Sequence, residues 1–140
     1  MTKTFVRVGF TAAVAAAAFV VLGSAPTTAQ EKGLTIKEIM KAGHAGSDPL
    51  LKQVIVASGG GKWDAAVAAA KSLESNSALM EKATPGKGDA ASWEKQAGGY
   101  HKNMTALLTA AEKKDAAGVK TAVGAITASC KACHSVHKGK

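Results

Sequence analysis

Cysteine, proline, arginine and aromatic side chains are all scarce in this 140-residue chain. The two cysteines, Cys130 and Cys133, are too few for a multi-disulfide framework or a four-thiolate zinc site. The only arginine, Arg7, and all three phenylalanines fall in residues 1–29, so Trp63, Trp93 and Tyr100 are the only aromatics beyond them. A core built largely from alanine buries little area per side chain and gains modest stabilisation from each. No stretch alternates in the manner of a strand, and the apolar run Val8 to Leu22 falls short of the roughly 20 residues of a comfortable membrane span.

That run has a short positive segment before it, with Lys3 and Arg7, and small residues after it, Ser24 to Ala29. The order is that of a secretory signal cleaved before Gln30. Residues 1–29 are therefore expected to be a signal peptide and residues 30–140 a single exported domain without stable membrane insertion. The formal charge of +8 falls to about +6 without Lys3 and Arg7, since the segment carries no acid. The lysines are interleaved with acids and accompany no nucleic-acid recognition motif, so a solvated surface is the plain reading and nucleic acid is not an expected partner.

Helical signals run the length of the domain. Thr35 and Glu38 have capping-box spacing, followed by Ile36, Ile39, Met40 and Gly43 on one face. Asp48 and Pro49 read as N-cap and first helical residue of a second piece whose apolar face is Leu50, Leu51, Val54 and Ile55. After the break Ser58 to Gly61, a helix from Lys62 to about Leu79 carries Trp63, Ala66, Val67, Ala70 and Leu73, and Ser75 to Gly88 holds the connecting loop. Asp89 caps a helix whose stripe is Trp93, Ala97, Tyr100, Met104, Leu107, Leu108 and Ala111, with Gly98 and Gly99 as a weak point or a place of close approach. Asp115 caps the last, striped by Val119, Val123 and Ile126. The expected fold is all-α, an antiparallel four-helix bundle.

The last stripe continues into Cys130-Lys131-Ala132-Cys133-His134, the pattern for covalent attachment of haem c. Two thiols one helical turn apart can each add to a vinyl group of one porphyrin, and the adjacent neutral imidazole supplies a proximal iron ligand. A redox dithiol would open a helix after a strand, whereas this pair closes a helical chain. A zinc site would need two further good ligands. A large apolar cofactor also suits a core so poor in large side chains. Among the other histidines, His101 falls on the polar side of its helix, and His137 is expected at the haem edge or in solvent. Trp63 and Trp93 are expected against the porphyrin, against each other or simply in the core.

With a leading signal, four helices and Cys130 to His134 at the C-terminal end, the chain resembles the class II c-type cytochromes, which include cytochromes c′ and the low-spin c556 type. Thr35 to Ala42 looks like the first-helix segment in which low-spin members carry a methionine ligand. The resemblance implies Met40 as sixth iron ligand, with His44 one turn on as the competitor and an open position as the third option. It also implies haem attachment on the outer, periplasmic side of the membrane. Ile36 stands where many members have an arginine that meets a haem propionate, leaving Lys37 and Lys41 as the local cations.

With Met40 bound, the expectation is a non-enzymatic monohaem electron carrier, since a thioether raises the potential relative to a second imidazole. With the position open, the alternative is a five-coordinate protein that binds small gases such as NO or CO. Lys131, Lys138 and Lys140 mark a docking face for an acidic redox partner. A homodimer through the first two helices would follow the class, but the break from Gly46 to Pro49 separates this chain from that pattern.

Overall fold

The computed structural model describes residues 34–138, which belong to one compact unit. The expected signal at residues 1–29 lies outside the described residues. Five α-helices follow in order: α1 (Ile36–Met40), α2 (Leu50–Gly59), α3 (Trp63–Glu81), α4 (Ala90–Glu112) and α5 (Ala116–His137). Between α1 and α2 the chain widens into a π-helical turn, Lys41–Ala45, and then bends at residues 46–48. Together α1, the π turn and α2 form the first leg of an all-α antiparallel four-helix bundle, and no strand occurs among the described residues. Neighbours in sequence pack side by side from α2 to α5, and α2 closes the ring against α5.

The ends of these helices follow local chemistry. Thr35 and Glu38 form the full capping box, and the two hydrogen bonds from Thr35 hold the exposed Glu38 carboxyl below its ordinary range. Asp89 and Asp115 accept from Ser92 N at 2.8 Å and Gly118 N at 2.9 Å. Gly61, at φ +70°, ends α2 in a Schellman turn, with Lys62 N donating to Ala57 O at 2.8 Å and Gly61 N to Ser58 O at 3.2 Å. Lys114 fills the same role after α4 at φ 56°.

Two boundaries differ from expectation. Pro49, not Asp48, is the N-cap of α2: its backbone is extended and its carbonyl accepts from Gln53 N, while the Asp48 carbonyl takes the Gln53 side chain at 2.9 Å. Helix α3 runs on to Glu81, two residues past its expected end near Leu79 and into the segment from Ser75 to Gly88 read as the connecting loop. Burial explains the extension, because Ser77 and Met80 are both enclosed and Ser77 Oγ meets His101 Nδ1 at 2.8 Å. Gly98 and Gly99 leave α4 unbroken.

The core holds Ile39, Val54, Leu73, Met104, Leu107 and Ile126, each at most 1 % exposed, filled in by buried alanines such as Ala66, Ala70, Ala97 and Ala111. Ile55, expected on the apolar face of α2, instead points outward beside the exposed Val56. Gly43 lets the first leg approach closely: a Cβ there would stand 3.4 Å from Leu73 Cδ2 and 3.8 Å from the Tyr100 hydroxyl. The π turn therefore lies directly against α3 and α4.

Candidate functional site

At one end of the bundle, where α3 ends and α4 begins, an apolar cavity of about 130 Å³ separates the first leg from α5. Cys130, Cys133 and His134 line it from α5, Met40 and His44 from the first leg, and Met80, Gln96 and Tyr100 from α3 and α4. All five residues singled out in the sequence for iron or thioether chemistry thus meet at one cavity. The α5 stripe opens gradually toward it, from fully buried Ile126 through half-buried Cys130 and Cys133 to exposed His134. The three lie at the open end of the bundle.

No disulfide joins the two cysteines, and Cys130 Sγ lies 3.4 Å from the Ile126 carbonyl. Burial pushes the Cys133 thiol above its ordinary pKa, and the neighbouring Cys130 adds to the shift. Across the cavity, His44 Nε2 and the Tyr100 hydroxyl are 2.7 Å apart, their rings meeting edge to face with centroids 5.8 Å apart. Burial, and then the proximity of His134, hold the His44 imidazole below its usual pKa and hence neutral. Burial, with a smaller contribution from the two thiols, raises the Tyr100 hydroxyl well above the ordinary phenol range. His44 is half-buried and partnered.

A model of the family described as Cytochrome C' matches residues 37–138. The chain belongs to the cytochrome C' family. It is a c-type cytochrome, and the cofactor its family implies is haem c. No match was found among curated proteins or among solved structures. The donor set of this cytochrome fits that group: two thiols one turn apart on one wall, an imidazole beside them, and a thioether and a second imidazole facing them.

The remaining histidines of the cytochrome are placed differently from expectation, while Trp93 lies in the core and Trp63 packs against it, one of the placements expected. His137 neither borders the cavity nor faces solvent; it is 8 % exposed and fastened to the start of α4. Its Nδ1 donates to the Lys87 carbonyl at 2.9 Å, which leaves Nε2 to accept from Ser92 Oγ at 3.0 Å in the neutral ring. Trp93 meets this imidazole edge to face at 5.3 Å and does not line the cavity, nor does Trp63. Gly88 makes the seat: its φ of +85° suits glycine, and a Cβ would fall on the His137 ring. His101 is half-buried against Ser77 and lies 3.8 Å from Glu74, away from the cavity.

Sequence reasoning took Tyr100 for a core residue alone and passed over Met80 and Gln96. The available signal was chemical: a tyrosine within a fully buried stripe needs a partner for its hydroxyl.

Proposed function

We propose that this cytochrome is a single-electron carrier holding one haem c through thioether bonds from Cys130 and Cys133, with His134 and Met40 as axial ligands. The observation that carries the reading is the convergence of Met40 with Cys130, Cys133 and His134 on the lining of one apolar cavity. Haem supplies a reversible one-electron iron couple. The protein's part is to keep two strong ligands in place in both oxidation states, so that little rearranges on transfer. An apolar lining excludes water from the buried side of the site.

Residues 1–29 support export to the periplasm. Lys131 and Lys138, both exposed and flanking the haem motif, support docking of an acidic redox partner. The exposed Ile55 and Val56 on α2 are the surface on which a homodimer would be sought. Catalysis is not part of the proposal, because the one distal imidazole is already engaged by Tyr100.

The second reading is a five-coordinate haem that binds small gases, and the His44–Tyr100 pair favours it, since a hydroxyl and an imidazole beside an open iron position could hydrogen-bond a diatomic ligand. Optical spectra of the holoprotein, ferric and ferrous, with and without carbon monoxide, separate the two. The electron carrier shows a low-spin spectrum with a sulfur-to-iron charge-transfer band and no response to carbon monoxide. Met40→Ala converts that spectrum to a high-spin, carbon monoxide-sensitive one. A wild-type protein already high-spin and gas-responsive refutes the carrier.

A further inference from the structure

Two ligands compete for one iron position in the reading above, and the cavity contains a group that discriminates between them. His44 and Met40 lie one turn apart on the first leg and line the same cavity, so proximity alone does not choose. What differs is that His44 Nε2 is committed to Tyr100 at 2.7 Å. If the phenol donates, the Nε2 lone pair is occupied; if Nε2 donates, that nitrogen carries a proton and has no lone pair for a metal. Either arrangement withholds Nε2 from iron, and with the phenol donating the neutral ring carries its proton on Nδ1, so neither nitrogen is open to a metal. The Met40 sulfur has no such competitor.

Both ends of the bond are firmly set. Tyr100 is 7 % exposed on the continuous helix α4, between Ala97 and Met104, which are both fully buried. His44 is carried by the π turn, an uncommon geometry that recurs at functional sites, and side-chain-free Gly43 seats that turn against Leu73 and the Tyr100 hydroxyl. We infer that Tyr100 is a positioning residue that selects the distal ligand: by holding His44 Nε2 in a hydrogen bond it leaves the iron to Met40. The inference rests on the axial assignment proposed above. The plain counter-explanation is that phenol and imidazole merely satisfy each other in a buried place.

Tyr100→Phe in the holoprotein removes the hydroxyl and keeps the ring. The expected result is loss of the sulfur-to-iron band, a bis-imidazole signature by electron paramagnetic resonance and a lower midpoint potential. Adding His44→Ala to that variant is expected to restore the band, which a general packing defect would not do. A Tyr100→Phe protein that keeps the sulfur band and the potential overturns the inference while leaving Met40 as ligand. A wild-type protein that is already bis-imidazole overturns both. Should the wild type prove five-coordinate, the Met40 assignment falls, and conversion to a bis-imidazole spectrum in Tyr100→Phe still upholds the hold on His44; an unchanged high-spin spectrum refutes it.

Discussion

The two walls of the cavity are built on opposite plans. Helix α5 runs for 22 residues without a break, is capped by Asp115, and is fastened beyond the haem motif by His137. The facing wall is a five-residue helix, a five-residue π turn and a bend before α2 begins. Covalent attachment needs a fixed spacing on a regular helix, which the first wall provides. Choice of the sixth ligand needs only that one of several donors be favoured, and a short irregular wall can offer more than one. The difference shows how one site can combine chemistry that is written locally with chemistry that is negotiated across the fold.

The largest expected effect tests the regular wall at its chemical centre. Cys130→Ser/Cys133→Ser should retain no haem through denaturing electrophoresis, against complete retention in the wild type; a retained haem stain would remove the two thiols from the attachment scheme. Next comes the fastening of that wall. Gly88→Ala places a side chain in the left-handed region and on the His137 ring, and His137→Ala removes two hydrogen bonds from a buried site. Each should cost about 2–4 kcal/mol by denaturant unfolding, from roughly 1–2 kcal/mol of backbone strain or packing loss and about 1 kcal/mol per lost bond. Costs below the smallest of these terms would mean that α5 does not depend on the latch.

The smallest effect belongs to the irregular wall. Because burial lowers the pKa of His44 in the fold, the unfolded chain binds the extra proton first, so stability falls as pH drops below the ordinary value of 6.5 and levels off beneath the folded value. Thermal unfolding of the Cys130→Ser/Cys133→Ser protein across that range should show this decline, and His44→Gln should flatten it. An identical decline in the His44→Gln protein would assign the pH dependence elsewhere.

Much of the bundle was legible because its signals are local. Thr35, Asp89 and Asp115 cap helices where the sequence places them, and the α4 stripe from Trp93 to Ala111 is buried apart from half-buried Leu108. The end of α3 at Glu81, beyond Leu79, was not legible, since it depends on Met80 being enclosed by other helices. His137 was misread for a similar reason. Its partners, Lys87 and Ser92, are 50 and 45 residues away, and nothing in the spacing of His134 and His137 announces them.

By itself the sequence determined that this protein is a helical bundle with thiols and an imidazole grouped one turn apart on its last helix, because those properties depend on residue type and helical period alone. Only the tertiary structure decided that Met40 and His44 share a cavity with that group, that Tyr100, 56 residues from His44, holds the imidazole, and that His137 fastens the helix. A hydrogen bond spans about 3 Å of space regardless of the length of chain between its ends, and a linear reading has no measure of that distance.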